Sequence, residues 1–195
     1  MLNLKVLKEI TLDEAVELGL VSDYKITALR TQLDTMTKNI KGGNKKNRFI
    51  TTEFSTNNYL NNQFKMSFAT MNDVLSKIFI NKRMRFIYDL PSKQVAAKQL
   101  LNKLEGRTLC FSGSIKAAET LSKHYFHSKT NDKHIEAFKA GKIDVLSMVN
   151  AGGVGHTFEN VDNVIIVQVN SNKTGTVHQK LARGLIPREG HVCNV

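Results

Sequence analysis

The chain has 195 residues, 41% of them hydrophobic, with 28 Lys and Arg against 17 Asp and Glu and a formal net charge of +11. That length suits one domain with a small appendage, and the apolar fraction supplies a packed core, which excludes wholesale disorder. Two cysteines, Cys110 and Cys193, show no metal-ligand spacing and cannot make a disulfide framework, so a reduced, cytoplasmic protein is expected. The first twenty residues lack the apolar stretch of a secretory signal, and no run reaches the roughly 18 apolar residues of a membrane span. The positive surplus predicts a polyanionic partner, nucleic acid above all; plain lysine richness is the alternative source.

Thr11-Leu12-Asp13-Glu14 has the form of a capping box. The Thr11 hydroxyl accepts from the Glu14 N–H while the Glu14 carboxylate reaches back. Leu12, Ala15, Val16 and Leu18 give a short apolar face, and Gly19 suits a left-handed end. Tyr24 to Leu33 partly alternates and predicts a strand. From Thr35 to Lys65 the chain turns basic and polar, with Phe49, Phe54, Tyr59 and Phe64 interleaved. Lys45, Lys46 and Arg48 are candidates for gripping a phosphate backbone. A flexible insertion anchored by its aromatics is the competing reading. Between Ser67 and Leu104 the apolar spacing is helical, and Pro91 divides it into two helices, with the Lys82, Arg83 and Arg85 cluster between them.

From Arg107 onward, strand and helix patterns alternate. Strands are predicted at Thr108 to Phe111, Asp144 to Val149 and Val161 to Val169. Helices are predicted at Ile115 to Tyr125, Asn131 to Lys139 and Thr176 to Leu185, with a short segment at Tyr125 to His127. Such alternation argues for an α/β fold whose parallel sheet is covered on both faces, with ligands at the carboxyl ends of the strands. Gly152, Gly153 and Gly155 follow a buried strand, where missing Cβ atoms let backbone N–H groups approach an anionic oxygen. A plain tight turn uses the same residues. None of the six histidines shows a paired carboxylate in sequence.

Several of these segments carry a resemblance. Arg107-Thr108-Leu109-Cys110-Phe111-Ser112 resembles the strand that opens the second RecA-like lobe of superfamily-two helicases. His127-Ser128-Lys129, with Phe138 through Leu146, is similar to the stretch that follows in that family. Val149-Asn150-Ala151-Gly152-Gly153-Val154-Gly155, ahead of Phe158 through Ile166, resembles motif V in its chromatin-remodelling form. Gln179-Lys180-Leu181-Ala182-Arg183-Gly184 resembles motif VI. The closest character is that of a phage- or bacterial-type helicase or translocase acting on DNA rather than RNA.

The resemblance implies a RecA-like parallel sheet with helices on both faces, plus an N-terminal helical and basic extension. Residues 1–34 would be an interlobe segment, 35–105 a basic insertion and helical region, and 106–195 the second lobe, cut short at its last strand. Arg183 would be the catalytic arginine reaching the γ-phosphate, with Gln179 one turn earlier. Gly153, Gly155, Thr157 and Arg188 would face the nucleotide; Ser112, Gly113, His127, Ser128, Asn150 and Gly152 would face nucleic acid. Ile186 stands where motif VI has its second arginine, leaving Arg188 as the substitute, and Thr157 stands where many relatives carry Asp. No G-x-x-x-x-G-K-[ST] and no DEAD-like acidic motif occur. ATP would therefore be shared with a first RecA-like lobe that also holds Mg²⁺, with no metal on this chain. A fragment, a split gene product or a truncated remnant is expected, in the host cytoplasm if viral. Its function would be to contribute motif V and the motif VI arginine to ATP-dependent translocation or unwinding. The alternative is a non-catalytic nucleic-acid-binding or interaction module derived from such a lobe.

Overall fold

A computed structural model describes residues 10–43, 46–149, 156–168, 180, 184–188 and 190–195. Helix α1, Leu12–Glu17, opens with the capping box. The Thr11 hydroxyl accepts from Glu14 N at 3.2 Å, and Thr11 N donates to the Glu14 carboxylate at 2.7 Å. Gly19 follows at φ +67°, where a Cβ would be strained. Strand β1 covers only Asp23–Lys25, shorter than the alternation to Leu33 predicts. Beyond Lys25 the chain gains one more sheet bond, from Thr27 N to Val195 O at 2.6 Å, and then runs free of regular structure.

The basic stretch folds. β2 (Ile40–Gly43) and β3 (Arg48–Thr51) form an antiparallel ribbon, and α2 (Glu53–Ala69) and α3 (Asp73–Tyr88) form a helical hairpin. An insertion held only by its aromatics is thus corrected: regular backbone pairing organises it. The Lys82, Arg83 and Arg85 cluster lies inside α3 rather than between helices. Thr52 caps α2, accepting from Ser55 N at 3.1 Å. Glu53, fully buried, accepts from Asp34 N at 3.0 Å and from Ser92 N at 2.7 Å. This one carboxylate ties the linker and the start of α4 (Pro91–Leu101) to α2. Pro91 divides the run into two helices as predicted, sitting in the first turn of α4, where its missing N–H costs nothing.

The remaining elements are β4 (Thr108–Ser112), α5 (Ile115–Leu121), β5 (Tyr125–Phe126), α6 (Lys133–Lys139), β6 (Val145–Val149), β7 (Asn163–Ile166) and β8 (Val192–Asn194). Six strands make one parallel sheet in the order β1-β8-β7-β4-β6-β5. Alternation along β4 shows how both faces fill. Leu109 and Phe111 enter the larger core with Ile135 and Phe138 of α6, while Cys110 packs opposite them with Ala97 of α4 and Leu121 of α5. The predicted RecA-like α/β layering is what the chain adopts. Burial pushes the Cys110 thiol up to about 12, so it serves as a small apolar core residue rather than a nucleophile.

At the amino edge of the sheet, Asp162 gathers three groups. Its carboxylate accepts from Arg107 N and from Arg188 Nη2, each at 2.7 Å, and His191 Nε2 lies 3.8 Å away. Ser22 adds a stitch, donating to Ile186 O at 2.6 Å and accepting from Arg188 N at 2.9 Å. Burial alone raises the Asp162 carboxyl, but Arg188, the Arg107 N–H and His191 outweigh it and hold the group below the usual carboxylate range. A depressed folded-state pKa gives stability that is present above the unfolded value of about 3.9 and lost as pH falls through the folded value. Asp162→Asn is therefore expected to flatten the loss of stability below about pH 4. Urea midpoints measured against pH check this; an unchanged acid limb would remove Asp162 as its source.

Gly184 is buried against β7. A Cβ there would meet Val164 Cγ2 at 2.2 Å, so only glycine lets this segment approach the sheet. Gly184→Ala is expected to destabilise the fold by about 1–3 kcal/mol through overpacking, read as a lower denaturation midpoint at unchanged slope.

Candidate functional site at the carboxyl ends of the strands

Parallel strands deliver their ends to one edge, and β4, β5, β6 and β7 all finish there. Ser112 closes β4 fully buried, its hydroxyl 3.1 Å from Ser114 O and 3.3 Å from Met148 O. A side chain so placed holds the strand end together and leaves no hydroxyl to reach a ligand. Gly113 packs under Tyr88, whose Cγ would lie 3.0 Å from an added Cβ. Ser114 caps α5, accepting from Ala117 N at 3.1 Å and donating to Asp89. The end of β4 is thereby fastened to the end of α3.

At the end of β5, His127 is only 5% exposed. Its Nδ1 accepts from Lys129 N at 3.2 Å, which leaves the proton on Nε2, 3.3 Å from Glu119 Oε1. Tyr125 stacks on the ring, with centroids 5.6 Å apart and planes 4° from parallel. His127 and His191 both face carboxylates after all. Their partners, Glu119 on α5 and Asp162 ahead of β7, belong to other elements, so the spacing of carboxylates around each histidine did not show them. Ser128 and Lys129 lie exposed in the turn that follows, which is closed by the Thr130 hydroxyl donating to His127 O at 2.8 Å.

β7 leads to Gln168, which organises two lysines that spacing alone did not single out. Lys93 Nζ donates to Gln168 Oε1 at 2.6 Å and to Ile87 O at 2.9 Å; Lys180 Nζ donates to Gln168 O at 3.0 Å. Lys180 is only 4% exposed, and neither ammonium has a carboxylate partner among the described residues. Burial lowers the pKa of both. Two desolvated cations facing only neutral oxygens leave positive charge uncompensated at this edge.

The other predicted site residues divide three ways. Thr157 is exposed, just before the buried Phe158. Arg188 is at the opposite edge of the sheet: it is bonded to Asp162, beside the start of β4 and β7. Five residues of strand separate that edge from Ser112, about 16 Å. Arg188 is therefore apart from the strand ends and already paired, and the two-residue offset from Ile186 does not bring it to them. Lys46 and Arg48 sit on the exposed β2–β3 ribbon. Lys45, Asn150, Gly152, Gly153, Gly155, Gln179 and Arg183 lie outside the described residues, as does most of the predicted helix at Thr176 to Leu185. Among the described residues, no three His, Cys, Asp or Glu side chains converge as metal ligands would, and no helix is long and apolar enough to cross a membrane.

The model of the helicase conserved C-terminal domain matches residues 70–184, more than half of the chain. The chain belongs to the helicase C-terminal domain family. The match begins at the α2–α3 turn and ends on Gly184, so this helicase C-terminal domain takes in α3 and α4 of the basic extension as well as β4 through β7. No curated protein matches the sequence. Solved structures similar to it include the yeast DEAD-box splicing factor Prp28, at 16% identity and a TM-score of 0.44, covering 53% of this chain and 25% of that one. Dbp5 of S. cerevisiae, bound to RNA and ADP BeF3, shares 20% identity with a TM-score of 0.43, over 53% of this chain and 32% of its own. The Hef helicase domain of Pyrococcus furiosus shares 18% identity with a TM-score of 0.38, over 72% of this chain and 34% of its own. The helicase C-terminal domain described here thus spans about a quarter to a third of the length of these structures.

Proposed function

We propose that this chain is the second motor lobe of an ATP-dependent translocase or helicase acting on DNA, and that it works against a first RecA-like lobe carrying the phosphate-binding loop and Mg²⁺. The observation that carries the reading is the family match ending on Gly184, the last residue of Gln179-Lys180-Leu181-Ala182-Arg183-Gly184. Around that segment the chemistry suits a polyanion. Lys180 is buried and donates to a carbonyl, with no carboxylate partner among the described residues, Thr157 offers an exposed hydroxyl, and the chain's net charge is +11. Bound ATP would supply the phosphoryl group. This chain would contribute the arginine and the glycine loop Gly152 to Gly155, and the first lobe the metal. Basic residues on the β2–β3 ribbon, Lys46 and Arg48 among them, support a grip on the phosphate backbone.

One observation favours a second reading, a nucleic-acid-binding module without catalysis. Arg188, the substitute for the second motif VI arginine, is held by Asp162 at the opposite edge. One experiment separates the two: ATPase of the chain alone, of a candidate first lobe alone, and of their mixture with DNA or RNA. The motor reading expects turnover only in the mixture, stimulated more by DNA. Turnover by the lone chain would overturn it, and DNA binding without turnover in any mixture favours the module. Affinity that barely changes between low and physiological salt would sink both, because phosphate contacts release counterions.

A further inference from the structure

On the face of the sheet that carries α4 and α5, the described helices stop short. α5 and α4 cover β4 and its neighbours, but among the described residues no helix lies beyond α4 toward β8 and β1, where there is a groove of about 790 Å³. Its floor includes Ile165 and Val167, one wall is Ala96 and Leu100 of α4, and the other is the extended segment with Ile26 and Leu29. Ile26 and Leu29 are 57% and 59% exposed, which is a cost in water unless something covers them. Among the described residues that line the groove, the charged side chains are Lys25 and Lys93.

We propose that this groove is the docking site for an amphipathic helix of a partner protein, one that lays an apolar stripe on the sheet and brings a carboxylate to Lys93. The open position beside α4 calls for a helix, since helices are what cover such sheets, and the small Ala96 and Ala97 allow close approach. The charge follows from Lys93. Two of its three ammonium protons are used, on Ile87 O and Gln168 Oε1, and the third has no carboxylate among the described residues. A carboxylate arriving with an apolar helix neutralises a cation that the same helix dehydrates. A second copy of the chain would bring its own net +11 and the same lysines against these. Nucleic acid would leave the apolar floor poorly covered.

The test is selection of helical peptides of about 16 residues, roughly four turns, from a displayed library of randomised amphipathic sequences on the whole chain. Enriched peptides are expected to carry an acidic residue beside their apolar stripe. Leu29→Glu, at an exposed position that leaves the fold intact, and Lys93→Met should each weaken them about tenfold or more. The Lys93→Met loss should vanish for the peptide with its acid changed to Gln, as a coupled pair requires. No enrichment, peptides without an acid preference, or binding indifferent to Leu29→Glu would overturn the proposal. Displacement of the peptides by DNA, or concentration-dependent dimers abolished by Leu29→Glu, would assign the groove to another occupant and overturn it equally. ATPase is not a readout here, so failure of the motor reading would be seen separately.

Discussion

Arg183→Ala is expected to cut ATP turnover of the reconstituted two-lobe enzyme by about 10³- to 10⁵-fold while leaving nucleic-acid affinity nearly unchanged. The size follows from what a guanidinium does in phosphoryl transfer. The charge that spreads over the γ-phosphoryl oxygens is met by a planar donor fork that stays protonated at any working pH. Such an interaction strengthens in the transition state, so its loss falls on kcat rather than on binding. Lys should rescue poorly, because a point charge does not reproduce the fork. Lys180 and Gly184 are buried, and Gly184 is fitted against Val164. Steady-state ATPase at saturating nucleic acid, alongside a binding isotherm, makes the measurement. A loss smaller than about tenfold, little more than 1 kcal/mol of barrier, would mean that Arg183 does not touch the reacting phosphate.

Glu53→Ala is expected to cost about 3–5 kcal/mol of stability, the largest structural effect of any single substitution in the basic extension. The side chain is wholly buried, and its two oxygens accept from Asp34 N and Ser92 N. Removing it strands two backbone N–H groups away from water and takes an anion from beside the first turn of α4. Glu53→Gln keeps the shape but offers one accepting oxygen and an amide that would face a donor, so it should fall between. Urea denaturation gives the magnitude, and hydrogen exchange at Ser92 gives the location. A change under about 1 kcal/mol would show that the linker, α2 and α4 hold together without this carboxylate.

The strands of the lobe were legible because each is a short apolar run bounded by polar turns; β6 and β7 lie within the predicted spans, and β4 runs one residue past its own, to Ser112. Pattern alone missed α2. Glu53 to Ala69 is rich in Asn, Ser and Thr, residues that compete for backbone hydrogen bonds, and only three of its side chains are buried. Its helix forms through packing against α3, information that lies outside the local window. β1 ends early for a related reason: its alternation continues to Leu33, but β8 offers partners only opposite Asp23 to Lys25. At the candidate site, the surroundings of the residues recognised by motif were not visible. Ser112 is consumed by Ser114 O and Met148 O, Arg188 by Asp162, and Lys93 and Lys180 are joined through Gln168. Apart from the local Ser112–Ser114 contact, these pairings join residues 12 to 75 positions apart, and periodicity carries no signal for them.

The pairing of β1 with β8 has a consequence for how the protein is made. Asp23 lies opposite Val192, and Val195 N donates to Lys25 O at 2.8 Å, so the sheet gains its outer edge from residues separated by nearly the whole chain. A ribosome releases these partners at very different times. β4 to β7 can pair as they emerge, whereas β1 and the segment after it, with Ile26 and Leu29 exposed, wait without their neighbour. Closing so long a loop comes late and slowly. During that interval β7 is the unpaired border of a growing parallel sheet, the surface on which a nascent chain is most exposed to association with another.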